Sequence, residues 1–197
     1  MKPKTIIWDV DDVLTPTSIS FYNTSILTNN QCPHPDTWTD YLWGQYIGRP
    51  EGLETTQYLE EHRVIENALP FSYTQQALLL TKTFGYKNVL LSARAWHSNP
   101  NLATQKWLDQ HSLDLLVDDM HFVTVQESKE HRLKELLDTY DIFAFVEDNP
   151  YHASSVMGIV PEIYLINRSW NKSHHSVDTF KHVSTALEAA ECIITKL

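Results

Sequence analysis

Asp9, Asp11 and Asp12 follow directly on the apolar run "TIIW", placing three carboxylates within four positions. Like charges this close repel, and partial burial raises the cost of ionising each of them, so a cation or a shared proton is needed to offset the crowding. Two carboxylates separated by one residue at a strand end can aim at a single centre once the chain curls. A carboxylate can also serve as a nucleophile, dividing a difficult hydrolysis into two displacements. The competing reading of the same residues is a capped turn or a solvated acidic loop.

Other reactive groups stand further along: Ser92 and Arg94 in "NVLLSAR", Lys129 in "ESKEHRLKEL", and Glu147 and Asp148 in "FVEDNP". Alone, Ser92 reads as a turn or N-cap residue, and Arg94 either meets a substrate anion or closes a surface salt bridge. Ser128 is a fitting N-cap, which puts Lys129 in the first turn of a helix, where a cation opposes the helix dipole. A facing anionic site supplies the missing rationale. Lys134 is the competing cation, five residues further from the strand edge. Hard oxygen ligands, few in number, suit Mg2+ better than zinc or iron.

These residues need elements to position them. β-rich runs recur at residues 5–10, 88–93, 121–125, 142–148 and 162–167, several nearly continuous in apolar character, as strands buried on both faces are. Helical patterns lie between and after them, at 72–85, 99–112, 128–140, 151–158 and 178–197. The alternation predicts an α/β protein with a Rossmann-like, doubly wound parallel sheet and right-handed crossovers. In such sheets the ligand lies beyond the carboxyl ends of the strands. On that rule Asp9, Asp11, Ser92, Lys129, Glu147 and Asp148 collect along one edge.

Residues 16–70 are too many for an ordinary connection. Their aromatics and helical patches predict a small, mainly helical insertion capping a core made of residues 1–15 and 71–197. Trp38, Tyr41 and Trp43 are its candidate substrate contacts, since aromatic faces stack on flat groups. With Phe21, Tyr22 and Tyr46, the same rings could instead form the insertion's own core.

"IIWDVDDVLT" resembles the first signature of the haloacid dehalogenase superfamily, an apolar strand followed by Asp-x-Asp-x-x-Leu, and the likeness extends over residues 1–15 and about 71–170. The resemblance implies that Asp9 is the nucleophile and that Asp11 is first general acid, then general base. It implies that Ser92, with backbone N–H groups such as that of Ala93, holds a phosphoryl oxygen, and that Lys129 neutralises nucleophile and phosphate. Mg2+ would be held by Asp9, Asp11 and Asp148, with Glu147 binding directly or through water. Many relatives carry another acid four or five residues on, where this chain has His152 and Ala153. An Asp at the second signature position points to a phosphatase or phosphomutase, since dehalogenating relatives lack it.

"LLSARAW", "TQKWLDQHSL", "FAFVEDNPYHA" and "IYLINRSWN" together resemble the type C cytosolic 5'-nucleotidase, or deoxyribonucleotidase, branch. That implies a small phosphorylated substrate, a nucleoside or deoxynucleoside monophosphate. The alternatives are a phosphatase for a sugar phosphate or similar ester, an inactive phosphate-binding relative, and a receiver-like signalling domain. The last would need a phosphoacceptor after the third strand, where "HFVTVQES" has no Asp.

Composition narrows the partners. The chain has 197 residues, 42% hydrophobic and 20% charged, which suits one folded domain plus an insertion. A formal net charge of −10 disfavours polymeric nucleic acid, whose binding draws on clustered Lys and Arg. Five glycines leave no P-loop or G-x-G-x-x-G, the ten histidines show no ligand-like spacing, and His174 and His175 fall in a polar stretch. Two cysteines make no disulfide framework, and neither a signal peptide nor a membrane span is evident, so a cytoplasmic protein is expected.

Overall fold

The computed structural model describes residues 2–28, 31–48, 53–124, 127–174 and 180–196. Strand β1 (Lys4–Trp8) is followed by a long excursion through α1 (Thr17–Leu27), α2 (Leu53–Glu61), α3 (Val64–Asn67) and α4 (Thr74–Thr83) before β2 (Lys87–Ser92). The chain then runs through α5 (Pro100–Gln110), β3 (Asp119–Phe122), α6 (Lys129–Leu136), β4 (Asp141–Glu147), α7 (Pro150–Ser155), β5 (Glu162–Ile166), β6 (Lys181–Val183) and α8 (Ala186–Ile194). The strands form one sheet in the order β3-β2-β1-β4-β5-β6, every neighbouring pair parallel. This is an α/β Rossmann-like, doubly wound fold.

Burial on both faces explains the continuous apolar strands. Ile6, Trp8, Leu90 and Val146 pack with Leu78, Trp107 and Ala190 of α4, α5 and α8 on one face. Ile7, Leu91, Phe145 and Leu165 pack with Leu133 and Ala153 of α6 and α7 on the other. Strand direction of winding reverses between β1 and β4, so the crevice at their carboxyl ends is the switch point where doubly wound sheets take ligands.

Two sequence expectations need correction. The third strand lies at 119–122 rather than 121–125, with the expected last position, 125, outside the described residues; so does His175. The final helix was expected over 178–197, but residues 181–183 pair with β5 and the helix starts only at Ala186. A capping motif sets that start. Thr185 Oγ1 accepts the Glu188 N–H at 3.1 Å, and the Glu188 carboxylate reaches back to the Ser184 N–H at 2.7 Å.

Residues 16–70 leave and rejoin the sheet layer at adjacent points. The Thr15 hydroxyl donates to the Leu69 carbonyl (3.1 Å), and the Phe71 N–H and Thr74 hydroxyl both donate to the Leu14 carbonyl (3.0 and 2.5 Å). Among the described residues this segment holds α-helices and 3-10 turns and contributes no strand. Its apolar residues Phe21, Trp38, Tyr58, Leu59 and Val64 make a cluster separate from the two faces of the sheet, joined by Trp170 from beyond β5. No described helix is long and apolar enough to cross a membrane.

Candidate active site

The turn after β1 gives its three carboxylates three different surroundings. The Asp9 N–H donates to the Val146 carbonyl (2.9 Å), extending the ladder by one residue, and Asp12 then adopts a left-handed φ of 56°. Asp tolerates that conformation because its short polar side chain can bond locally. Here the Asp12 carboxylate accepts from the Ser18 hydroxyl (2.6 Å) and N–H (3.2 Å), capping α1, whose N-cap position is Pro16 and offers no side-chain oxygen. Arg168 Nε donates to the Asp12 carbonyl at 2.9 Å. Burial, opposed by Ser18 and Arg168, pushes the Asp12 carboxyl up to about 6.

Asp9 lies among acids. Lys129 Nζ stands 2.7 Å from Asp9 Oδ1 and 2.7 Å from Glu147 Oε2, with lysine and both carboxylates buried. Ser128 does cap α6, through the His131 N–H, and this orients Lys129 toward the sheet edge. Lys134 pairs with Glu130 on the outer face. Glu147 Oε1 also accepts the backbone N–H groups of Asp148 (3.1 Å) and Asn149 (3.0 Å), so both of its oxygens are engaged. Burial and Glu147 hold Asp9 well above the ordinary carboxylate range despite Lys129. Burial, then Glu147, Asp12 and Asp9, do the same to Asp148. Glu147 itself is held low, since Lys129 and His152 outweigh the cost of its burial.

Asp9, Glu147 and Asp148 each bring one oxygen within 4.8 Å of the others. Asp9 and Glu147 share one lysine, and the Asp148 carboxylate meets the uncharged Trp170 indole N–H. The donor set is all carboxylate and underpaired, which fits a hard divalent cation. Asp11 was expected among the metal ligands, but its carboxylate turns to Arg94. Arg94 Nε and Nη2 grip it as a fork at 2.9 and 2.6 Å, and Thr17 (2.5 Å) and Ser92 (3.2 Å) add their hydroxyls. Burial raises its pKa, but Arg94 and Thr17 more than cancel this, and Asp11 lies below the usual range.

A cavity of about 490 Å³ opens above these groups. Asp9, Asp11, Lys129, Glu147 and Asp148 line it from the sheet edge, and Tyr41, Trp43, Thr55, Leu59 and Ile65 line it from residues 16–70. Ala93 and His152 also face it. The expected substrate contacts divide. Tyr41 and Trp43 line the cavity, Trp43 also packing on Phe21 at 5.9 Å, whereas Trp38 is fully buried in the aromatic cluster, stacked on Tyr46 at 4.5 Å with its indole N–H on the Pro33 carbonyl. Arg94 was expected to meet a substrate anion or close a surface salt bridge, and it does close a salt bridge, but not at the surface. It is instead buried, its charge committed to Asp11, because a guanidinium fork matches a carboxylate better than it tolerates burial alone. Ser92, expected on phosphate, is buried with its hydroxyl on Asp11.

Sequence reasoning passed over Trp170 and Asn171. The Trp170 indole N–H donates to Asp148 Oδ2 (2.9 Å), and Asn171 Nδ2 donates to the carbonyls of Asp148 and Ile166 (2.7 Å each). Applying the strand-end rule to β5 as well would have pointed to "NRSWN", the polar run at its carboxyl end.

No protein-family model matches the chain, and no curated protein matches it. Solved structures do. The L-2-haloacid dehalogenase from Xanthobacter autotrophicus with chloropropionic acid covalently bound superposes with a TM-score of 0.63 at 9% identity, over 97% of this chain and 98% of that one. A haloacid dehalogenase-like family hydrolase from Streptococcus pneumoniae gives 0.67 at 14% identity, over 97% and 98%. The fold is that of the haloacid dehalogenase superfamily. A predicted phosphoglycolate phosphatase from Haemophilus somnus shares it, with a TM-score of 0.67 at 13% identity over 98% of this chain and 99% of that one. At such identities the haloacid dehalogenase likeness speaks to architecture; chemistry has to be argued from the residues at the sheet edge.

Proposed function

We propose that this chain is a Mg2+-dependent phosphomonoester hydrolase that works through an aspartyl phosphate on Asp9, with nucleoside or deoxynucleoside monophosphates as its foremost substrates and residues 16–70 as a cap over the site. The observation that carries the reading is Lys129 bridging Asp9 and Glu147 beside Asp148, at the switch point of the sheet and on the floor of the cavity. The cation, held by Asp9 and Asp148 with Glu147 close by, would supply positive charge that keeps Asp9 ionised and lets it meet an anionic phosphate.

The chain's own residues then have defined tasks. The Asp9 carboxylate attacks phosphorus, the bond from phosphorus to the ester oxygen breaks, and that oxygen takes a proton from Asp11. Water next attacks the phosphorylated Asp9, Asp11 takes back a proton, and inorganic phosphate leaves with the nucleophile restored. Asp11 is ionised where it stands, with four hydrogen bonds from Arg94, Thr17 and Ser92, which is the state the second step requires. To act as an acid in the first step it has to loosen from the Arg94 fork and first take up a proton from solvent, which the second step then restores. Lys129 stays with Asp9 and offsets charge on the phosphoryl oxygens.

Tyr41 and Trp43 support a nucleotide, because aromatic faces at a cavity wall stack on bases. A net charge of −10 supports a small phosphate ester over a polymer. A phosphate-release screen over nucleoside monophosphates, sugar phosphates, phosphoglycolate and p-nitrophenyl phosphate, each with Mg2+ and with a chelator, tests the whole reading. Release from nucleotides that stops on chelation is expected. Preference for a sugar phosphate or phosphoglycolate would replace the nucleotide part, and full turnover under exhaustive chelation would overturn the cation.

A further inference from the structure

We infer that Trp170 is a positioning residue for the cation site, fixing which oxygen of Asp148 is free to bind. The inference rests on the proposed cation site. An indole N–H is a donor only and carries no charge, so it ties a carboxylate oxygen in direction without neutralising it. The Trp170 N–H is 2.9 Å from Asp148 Oδ2, both groups are buried, and one Asp148 oxygen lies within 4.8 Å of an oxygen each of Asp9 and Glu147. The main chain is pinned by the same turn. Asn171 Nδ2 bridges the carbonyls of Asp148 and Ile166, while Asn171 Oδ1 accepts the Arg168 N–H at 2.9 Å. Carboxylates that bind metals depend on such outer hydrogen bonds for their orientation.

The Trp170 ring also enters the aromatic cluster of residues 16–70, where its centroid lies 6.2 Å from that of Trp38, and the adjacent Ser169 hydroxyl donates to the Pro35 carbonyl at 2.6 Å. One side chain therefore touches both a cation ligand and the packing of the proposed cap. Asp148 is crowded by Glu147, Asp12 and Asp9, and an undirected carboxylate there would turn away from its neighbours. The indole N–H opposes that turn.

Calorimetric titration of the purified full chain with Mg2+ alone, or Mn2+ alone, reads this without turnover. Trp170→Phe keeps an aromatic ring in the cluster and removes the N–H, and it should weaken cation binding about tenfold, the low end for lost outer-shell partners. Trp107→Phe is the control: Trp107 is also buried and its N–H donates to the Ala68 carbonyl at 2.7 Å, not to an acid, so cation affinity should stay unchanged. Equal affinity in wild type and Trp170→Phe would overturn the inference and leave the functional reading intact. No cation binding by wild type would overturn both. Should Trp170→Phe fail to fold, the wild-type indole N–H resonances decide: the assigned Trp170 signal should shift saturably with Mg2+ while that of Trp107 stays, and a still Trp170 signal during Mg2+ binding would overturn the inference.

Discussion

Asp9 and Asp11 are two residues apart on one turn, yet they live in opposite electrostatic surroundings. Asp9 shares a single lysine with Glu147, beside Asp148, and its carboxyl is pushed up by burial. Asp11 has an arginine and two hydroxyls to itself and is held down. Environment, rather than residue type, separates carboxylate roles. The undercompensated side is where the proposed cation would add charge from outside. The overcompensated side stores an anion ready to take a proton.

The sharpest way to break this comparison is to neutralise each side in turn. Asp9→Asn should reduce turnover on every ester to background, since the nucleophile is gone. Asp11→Asn should cost roughly 10²–10⁴-fold on a nucleotide, the range for a lost general acid and base. Its loss in the phosphorylation step should be far smaller on p-nitrophenyl phosphate, whose leaving group departs unprotonated. Steady-state and single-turnover rates on both esters check this, and equal losses for Asp11→Asn on both would remove its acid role.

Next in size is the fork itself. Arg94→Gln leaves Asp11 without its cation, and because Arg94 is buried while Asp11 is partly open, the cost should approach about 3 kcal/mol, the low end for breaking a buried pair. Urea unfolding measures it. The Asp11 pKa should rise, so the acid-side limb of any activity requiring ionised Asp11 should move to higher pH.

The rings of residues 16–70 offer a smaller contrast. Trp43→Ala should raise KM for a nucleotide about tenfold, as loss of one stacking contact does, and leave p-nitrophenyl phosphate little affected. Trp38→Ala should instead lower stability, by about 3 kcal/mol for a fully buried Trp, with similar effects on all substrates. Substrate-by-substrate KM values and melting curves tell these apart.

Smallest is the effect of crowding on stability. The Asp148 carboxyl is raised in the folded chain by burial and by Glu147, Asp12 and Asp9, so ionising it disfavours the fold. Its penalty is absent below the unfolded pKa and grows as pH rises toward the folded one. In chelator at pH 7, Asp148→Asn should therefore melt a few degrees higher, about 2–4 °C per kcal/mol for a chain of this size. That gain should fade at low pH, and added Mg2+ should stabilise wild type more than the variant.

Much of this was legible in the sequence. Continuous apolar strands gave the doubly wound sheet, and the strand-end rule placed Asp9, Lys129, Glu147 and Asp148 together, because backbone direction alone decides where strand ends lie. Partner choice among side chains was not legible. Nothing in "SAR" says that Arg94 turns inward to Asp11 instead of outward to a ligand, since that depends on the burial both groups share. Trp38 and Trp43 are equivalent in a one-dimensional pattern, and only packing sends one into the cluster and the other to the cavity wall. β6 was hidden in a helical pattern because three residues give too short a period to read, although Thr185 and Glu188 marked the true helix start.

The most direct measurement is acid quenching of Asp11→Asn, mixed with Mg2+ and a phosphate ester of p-nitrophenol carrying radiolabelled phosphate. With the nucleophile present and the base for water attack removed, label should accumulate to about one phosphoryl group per chain, cleavable by hydroxylamine and located in the peptide containing Asp9. Asp9→Asn should take up none. A folded, Mg2+-binding Asp11→Asn protein that acquires no label at Asp9, while wild type releases phosphate from the same ester, would contradict the account.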